Sequence, residues 1–358
     1  MKKRILSLLF IVLFFAACLV PSIGLALTGG SPAGANEALS PKPRIQNRDG
    51  SFNADVLSDL SAYVDSRFSL RQESITVWAA FNAALLNTSA TEDVLLGRDG
   101  WLYYAPTLSD YTRTEPMTDE ELRSAAQTLY LIQEAVEAKG GQFLFTIAPN
   151  KNSLYDGHMP SLPREDAPSD AERLAVLLEE MGVHYLDLFA VFRAQGEELY
   201  FPTDSHWNGK GAALAADAIL TALGREGGYF ASDFDTGTHT GDLYEMLYPA
   251  GTDTGPDYVY APGFTYTASS QNPDNITITT ESHAGQGELL LYRDSFGRNL
   301  YPYMAERYAA ATFSRRTSYD PTPLPEGGDL VIELVERNLR YLNIYAPALA
   351  EDIISGDM

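Results

Sequence analysis

The stretch TDSHWN, residues 203–208, places an aspartate two positions before a histidine. On an extended segment, side chains two apart point to the same side, so the Asp204 carboxylate can lie beside the His206 imidazole while Ser205 faces away. A carboxylate in that position fixes the tautomer of the ring and stabilises its protonated form. The pair therefore predicts a general base together with its orienting acid.

A candidate nucleophile lies about ninety residues later. The strand-like run ELLLY leads into Arg293, Asp294, Ser295, Phe296 and Gly297, and a helix is predicted to follow. Open α/β sheets bind ligands beyond the carboxyl ends of their strands, and free N–H groups at a helix start can stabilise an oxyanion. Taken separately, Ser295 also suits a helix cap and His206 a surface loop. Together, the two segments predict the nucleophile, base and acid of acyl transfer.

Further candidates for oxyanion or substrate contacts are Asn150, Lys151, Asn152, Trp207 and Arg293. The Ser295 N–H is the first predicted oxyanion donor, and Asn150 or Asn152, in the loop after the strand QFLFTIAP, would supply the second. Lys151 would hold the substrate. Each has a structural alternative, because asparagine after a strand is ordinary turn chemistry and Trp207 is also expected to pack under the Asp-His segment. The four other histidines are scattered along the chain, and neither a metal nor a cofactor is predicted.

Helix and strand signals alternate around these segments. Thr118 with Glu121 and Ser169 with Glu172 form capping boxes, and Asn208 is a natural helix cap. Short apolar strands between such helices indicate an α/β fold with a mostly parallel sheet. Residues 53–90 are predicted to form N-terminal helices, and residues 226–285, rich in Gly, Asp, Thr, Pro and Tyr, a β-rich insertion.

The first 27 residues read as an export signal, because three basic residues precede an unbroken apolar run over residues 5–20. Three outcomes fit it: a retained membrane anchor, cleavage near the small residues 24 and 26, or lipidation at Cys18. Residues 28–52 are predicted to be a flexible tether to a catalytic domain over 53–358. In every case that domain lies outside the cytoplasm, and with Cys18 as the single cysteine it has no disulfide.

Composition limits the partners. The 358 residues are 45% hydrophobic, which is enough to bury the core of a large folded domain. The formal net charge is −23. This charge disfavours binding to nucleic-acid phosphates or to an anionic membrane surface. A neutral or cationic partner is easier to accommodate.

The motifs GRDGWLYY, TIAPNKNSLYDGHMP, TDSHWNGKGA, GDLYEML, YRDSFG and DLVIELVERNL occur in this order. The set resembles the alginate O-acetyltransferase group and the related bacterial DHHW proteins of the SGNH hydrolase-like superfamily, over roughly residues 53–345. The resemblance implies a three-layer sandwich with a circularly permuted motif order, in which acid and base precede the nucleophile. Carried over by position, the family's catalytic residues are Asp204, His206 and Ser295. Ser205 departs from the histidine that the DHHW name implies.

The resemblance also implies an activity: transfer of acetyl groups to a cell-surface or exopolysaccharide hydroxyl through an acetyl-serine intermediate. A membrane O-acyltransferase would supply the acetyl donor. Two alternatives stay open at this point. The same three side chains would serve a polysaccharide acetyl esterase that uses water as acceptor, and the fold would also serve a non-catalytic polysaccharide-binding or assembly protein.

Overall fold

The computed structural model describes residues 2–34, 37–260 and 263–343. The α-helices, numbered along the chain, are α1 Lys2–Thr28, α2 Val56–Asp65, α3 Arg71–Phe81, α4 Leu108–Thr112, α5 Asp119–Ala138, α6 Lys151–Leu154, α7 Asp170–Met181, α8 Leu188–Arg193, α9 Gly209–Ala222, α10 Asp242–Leu247 and α11 Tyr301–Arg307. The strands are β1 Val94–Leu96, β2 Leu102–Tyr104, β3 Phe143–Ala148, β4 Tyr185–Leu186, β5 Asp235–His239, β6 Gly255–Val259, β7 Thr267–Ala268, β8 Thr277–Glu281, β9 Glu288–Tyr292, β10 Ala310–Ser314 and β11 Asp329–Val335.

The chain divides into two compact units, Met1–Leu96 with Thr240–Asp253, and Gly97–His239 with Thr254–Met358. The first unit contains α1, α2, α3, β1 and α10. Within α1, the 25 residues Arg4–Thr28 are long and apolar enough to cross a membrane. This helix coincides with the predicted export signal. The predicted boundaries of tether, domain and insertion stay predictions.

The second unit is built on a seven-stranded sheet with the order β4-β3-β11-β9-β10-β8-β7. The pairs from β4 to β10 are parallel, and β8 and β7 add two antiparallel strands at one edge. β11, the last strand of the described residues, lies inside the sheet between β3 and β9, and all seven of its residues are buried. The predicted α/β fold with a mostly parallel sheet is confirmed.

Helices cover both faces of this sheet and produce three layers. One face packs against α8, α9 and α11 through a cluster that includes Leu291 and Val331. The other packs against α5 and α7 through a cluster that includes Phe145 and Ile332. Alternate side chains of a strand point to opposite faces, so each central strand contributes to both clusters. Each buried Leu, Ile or Phe contributes roughly 1.5–3 kcal/mol to the free energy of unfolding.

The helix starts follow the local signals in the sequence. Thr118 and Ser169 each accept a hydrogen bond from the N–H of a glutamate three residues later, and each glutamate accepts one in return. Asn208 accepts from the Gly211 N–H and caps α9. These bonds satisfy N–H groups that have no partner within the helix, and each cap contributes about 1 kcal/mol.

The span predicted as an insertion, residues 226–285, contains several distinct pieces. β5 and β6 form a separate antiparallel pair, whereas β7 and β8 extend the central sheet. Residues 240–253, which include α10, belong to the first unit. The span therefore serves more than one substructure.

Candidate active site

The candidate nucleophile lies just beyond the carboxyl end of β9. Asp294 fixes this turn, because its Oδ1 accepts from the Phe296 N–H at 2.9 Å and its Oδ2 from the Val335 N–H at 2.7 Å. Oδ2 also accepts from Asn338 Nδ2 at 2.9 Å. One carboxylate thus ties the turn that carries Ser295 to the end of the central strand β11.

The helix predicted to follow the turn RDSFG is present as α11, but it does not begin at the serine itself. A single 3-10 turn over Phe296–Arg298 follows the serine, and α11 begins only at Tyr301. A turn of three residues offers little of the aligned peptide dipole that a full helix provides. Ser295 thus precedes a short turn and not the first residue of α11, and its own main-chain N–H stays the predicted first oxyanion donor.

The candidate acid and base lie in the bend before α9. The Asp204 carboxylate accepts a hydrogen bond from the His206 main-chain N–H at 2.8 Å. This bond closes a turn at the aspartate and bends the segment. Because of this bend, Ser205 does not face away, and its Oγ lies 3.2 Å from His206 Nδ1. The expectation of an extended segment is wrong in this detail, because the Asp204 side chain accepts from the main-chain N–H two residues later and bends the segment.

The three predicted catalytic side chains lie in one line of hydrogen bonds. His206 Nδ1 is 2.7 Å from Asp204 Oδ1, and His206 Nε2 is 2.9 Å from Ser295 Oγ. An ionised carboxylate can only accept, so Nδ1 carries the hydrogen and Nε2 is free to accept the serine hydroxyl. The side chain of His206 is 13% exposed and that of Asp204 5%, so the acid is screened from water while the base remains accessible.

His239 is a site residue that the sequence analysis missed. Its Nε2 lies 2.7 Å from Asp204 Oδ2, the oxygen that does not contact Nδ1 of His206. The ring stacks on Phe201 at a centroid separation of 4.1 Å. His239 is the last residue of β5 and lies 35 positions after Asp204 in the sequence. No local spacing therefore links the two residues. Asp204 therefore accepts from two imidazoles.

Lys151 lies beneath residues 201–206, which are called the acid-base segment below. Its ammonium donates to the main-chain oxygens of Phe201 at 3.1 Å, Pro202 at 2.9 Å and Asp204 at 2.5 Å. Its side chain is buried, and Nζ lies 5.1 Å from the ring centroid of Tyr103. The structure thus engages Lys151 with protein carbonyls, in contrast to the predicted contact with substrate.

Asn150 and Asn152 are also buried, and their amides are used within the protein. Asn150 Nδ2 donates to Asp110 Oδ2 at 3.0 Å, and Asn152 Nδ2 donates to Thr107 Oγ1 at 2.8 Å. Both side chains turn toward the α4 region, which supplies these acceptors. Each amide thus has an acceptor within the protein, and an oxyanion contact from either residue stays a prediction.

Two acids near this loop, the buried Glu336 and the partly buried Asp110, have raised pKa values. Glu336 accepts from the Asn150 N–H at 3.0 Å and from Ser153 Oγ at 2.6 Å. Burial raises the pKa of Glu336 to about 7, opposed by the hydrogen bonds from Ser153 and Asn150. Burial likewise raises the pKa of Asp110 to about 6. The carboxyl end of the sheet thus contains protonatable groups besides the candidate catalytic residues.

Trp207 and Arg293 are placed in the interior. Trp207 has no exposed surface and packs edge-on against Phe296 at 4.9 Å, so it supports both segments from below. Arg293 is 3% exposed and donates to the main-chain oxygens of Asp294 and Pro273. Both side chains are surrounded by protein, in contrast to the predicted contact with substrate.

Steric crowding requires glycine at both glycine positions of the motif NGKGA. A Cβ at Gly209 would lie 1.7 Å from the Tyr258 carbonyl oxygen, and one at Gly211 2.4 Å from the Leu199 oxygen. Any larger residue would push the first turn of α9 away from these two chain segments. The start of α9, and with it the direction of the preceding acid-base segment, is fixed by this close packing.

The chain is similar to known proteins in sequence and in fold. Two curated relatives carry the name "Probable alginate O-acetylase AlgJ": the chain is 26% identical over 205 residues to the one of Pseudomonas syringae pv. tomato and 24% over 210 residues to the one of Pseudomonas putida. These matches cover 52% and 55% of this chain, and 49% and 52% of the relatives. The chain therefore spans about half the length of the curated relatives it matches.

The solved structure of Bacillus cereus PatB1 is similar in fold, with a TM-score of 0.53 at 17% identity, over 69% of this chain and 98% of that one. Residues 94–283, just over half of the chain, match the family model described as the SGNH hydrolase-like domain of the acetyltransferase AlgX. That span includes Asp204 and His206. The chain belongs to this SGNH hydrolase-like family.

Proposed function

We propose that this protein is an extracytoplasmic O-acetyltransferase that modifies a polysaccharide through Ser295, His206 and Asp204. The observation that carries the proposal is the 2.9 Å separation of His206 Nε2 and Ser295 Oγ, with Asp204 Oδ1 2.7 Å from Nδ1 of the same ring. A hydroxyl at that distance from a neutral imidazole nitrogen is the arrangement of an activated serine. Membership of the acetyltransferase family supports acetyl as the transferred group.

The first half-reaction forms an acetyl-enzyme. His206 Nε2 takes the proton of Ser295 as Oγ bonds to the carbonyl carbon of the acetyl donor. The developing oxyanion accepts from the Ser295 N–H, and the leaving group departs with the proton that His206 returns. Asp204 stabilises the imidazolium that exists between these two steps.

The second half-reaction transfers the acetyl group. His206 removes the proton from a sugar hydroxyl, whose oxygen attacks the acetyl carbon, and the bond to Ser295 Oγ breaks. His206 then returns its proton to Oγ. If water replaces the sugar, the same steps make an esterase, so exclusion of water decides between the two outcomes.

Substrate and donor follow from location and charge. The relatives' name refers to alginate, a polyanion. The formal charge of −23 on this chain would repel such a polymer, so an uncharged glycan is the favoured acceptor. With the α1 region at a membrane, a membrane O-acyltransferase that carries acetyl groups from the cytoplasm is the proposed source of the donor.

The test uses the purified full chain in detergent, an aryl acetate as donor and a neutral oligosaccharide as acceptor. We expect an acetyl-enzyme detectable by intact mass and an O-acetylated oligosaccharide. Ser295→Ala should remove both, with a rate loss of roughly a thousandfold or more. Ser270→Ala is the matched control, because that hydroxyl only accepts from the Asn272 N–H within an exposed turn.

Each other result has a clear meaning. Rapid hydrolysis that added oligosaccharide does not divert would assign the protein as an esterase. No acetyl-enzyme under any condition, combined with retained oligosaccharide binding in Ser295→Ala, would assign it as a non-catalytic binding protein. Either result would reject acetyl transfer.

A further inference from the structure

The helix α3 turns its large apolar side chains outward. Leu70, Val77, Trp78 and Phe81 are 48%, 70%, 58% and 49% exposed. Their spacing places them on one side of the helix, and the Trp78 and Phe81 rings stack at 5.9 Å. These four residues are called the α3 outer face below.

The opposite side of α3 is the one that packs against protein. Gln72 and Ala79 are 8% and 0% exposed, and Asn82, at the start of the π-helical turn Asn82–Leu86, is 8% exposed. The helix thus buries small and polar residues and exposes bulky apolar ones, the reverse of an ordinary surface helix. A contiguous apolar patch of this kind marks a surface that contacts protein or membrane.

α3 begins beside the last third of α1. The Ser69 N–H donates to the Pro21 oxygen at 3.3 Å, and the Ser31 N–H donates to the Arg67 oxygen at 3.0 Å. A Cβ at Gly24 would lie 2.4 Å from Ser69 Oγ, so the glycine lets the two segments approach closely. Leu70, the first residue of the α3 outer face, follows Ser69 directly.

The expected depth of α1 in a bilayer locates this junction. The basic residues before Ile5 stay in the cytoplasm, so the Thr28 end of α1 faces outward. Twenty-five helical residues measure about 37 Å, whereas the hydrocarbon core is about 30 Å thick. Pro21 and Gly24 therefore lie at the outer edge of the hydrocarbon, and Ser69 lies with them.

We propose that α1 is retained and that the α3 outer face is embedded in the outer interfacial layer of the same bilayer. Tryptophan and phenylalanine are favoured at this depth, where a ring can be covered by acyl chains while polar groups reach water. The basic residue of α3, Arg71, is paired with Glu37 at 2.7 Å. Insertion therefore relies on apolar burial, and neutral phosphatidylcholine is sufficient for it.

Trp78 is a natural probe of this contact. The chain has three tryptophans, and the other two, Trp101 and Trp207, are 5% and 0% exposed. The full chain is reconstituted in phosphatidylcholine vesicles that contain lipid brominated either near the glycerol end or near the acyl-chain midpoint. We expect fluorescence quenching that is stronger with bromine near the glycerol end, and Trp78→Phe should abolish the quenched component.

Two substitutions of exposed valines provide a matched comparison. Val77→Asp puts a charge into the α3 outer face and should reduce the quenching of Trp78. Val176→Asp, at a valine that is 55% exposed on α7, should leave it unchanged. Both side chains lie at the surface, so neither change disrupts a core.

Three results would overturn the proposal. The first is quenching in the unaltered chain no greater than in Trp78→Phe. The second is protection of Trp78 by concentration-dependent self-association or by a co-purified protein, which would make the face a protein interface. The third is a mature chain that begins after Ala26 and is recovered in the soluble fraction, because α1 would then have been removed. The proposal stands apart from acetyl transfer, and failure of either leaves the other intact.

Discussion

At the scale of single residues, the unusual feature is an aspartate held between two histidines. Asp204 Oδ1 serves His206 and Oδ2 serves His239, each at 2.7 Å. Because an ionised carboxylate only accepts, the contacting nitrogen of each ring carries a hydrogen. His239 thereby restricts rotation of the carboxylate and is proposed as a positioning residue for the acid.

The first prediction concerns His239. His239→Ala should lower kcat about 10- to 100-fold, since a hydrogen bond to a charged group contributes roughly 1.5–3 kcal/mol. KM for the acetyl donor should change little, because His239 is assigned no substrate contact. Steady-state kinetics with an aryl acetate measure both constants.

His239→Gln is the accompanying control, because an amide N–H can still donate to Asp204 Oδ2. Recovery of most of the rate in this variant, together with the unchanged KM, would identify positioning as the role. Equal loss in both variants, accompanied by lower thermal stability, would show that His239 acts only through packing against Phe201.

At the scale of elements, three motifs meet at one lysine. Lys151 is the first residue of α6, and the carbonyls that it contacts belong to the segment before α9. Trp101 and Tyr103, around the start of β2, supply aromatic rings 5.5 and 5.1 Å from Nζ. β2 also bonds to the acid-base segment, since the Leu102 N–H donates to the Pro202 oxygen at 2.9 Å. The motifs GRDGWLYY and PNKNS thus support the segment TDSHWN.

The second prediction compares two lysines that both donate to main-chain carbonyls. Lys151→Met should destabilise the protein by about 1–3 kcal/mol and lower kcat, because the carbonyls under Asp204 lose their donor. Lys139 Nζ donates to the oxygens of Pro321, Thr322 and Leu324 at 3.1, 3.3 and 3.2 Å, at the opposite end of the sheet. Lys139→Met should cost stability with kcat unchanged.

Denaturant unfolding and kcat are measured for both variants at the same temperature. Similar effects on kcat would contradict the bracing role of Lys151 and attribute any loss of rate to general destabilisation. Lys151→Arg keeps the charge and the hydrogen-bond donors in a larger group. Its free energy of unfolding and its kcat should lie between those of Lys151→Met and the unaltered chain.

At the scale of the whole molecule, buried acids make stability depend on pH. The pKa of Glu336 is about 7 in the folded protein, against 4.5 for a free side chain. Between these values the folded state holds a proton that the unfolded state has released. The free energy of unfolding therefore falls as pH rises from about 4.5 to about 7, and Asp110, with a pKa raised to about 6, acts in the same direction.

The third prediction follows from this slope. Glu336→Gln keeps an acceptor for Asn150 and Ser153 but cannot ionise, so it should gain stability relative to the unaltered chain between pH 5 and pH 8. The gain should be on the order of 3 kcal/mol. Denaturant unfolding is followed through Trp101 and Trp207, which are both buried in the second unit.

Glu172→Gln serves as the control of opposite sign. The hydrogen bond from the Ser169 N–H lowers the pKa of Glu172, so its contribution to stability is present above about pH 4.5 and is lost only on further acidification. Across pH 5 to 8 this variant should show a constant difference from the unaltered chain. A constant difference for Glu336→Gln as well would refute the proposed protonation of that carboxyl.

The sequence by itself determined those features that depend only on residues close together in the chain. The capping boxes at Thr118 and Ser169, the apolar strand β3 and the membrane-length helix α1 all appear where local pattern indicates them, because period, capping and turn chemistry act over a few residues. The segments that carry Asp204, His206 and Ser295 were also identified from local features, since each follows or precedes a regular element.

Only the tertiary structure decided which distant residues meet at those segments. His239 reaches Asp204 from β5, Lys151 reaches the carbonyls from below, and the amides of Asn150 and Asn152 turn to Asp110 and Thr107. Such contacts depend on strand order, with β11 between β3 and β9, and no spacing along the chain encodes that order. The same holds for α3, whose apolar side chains predict an amphipathic helix but do not tell whether that side is buried or exposed.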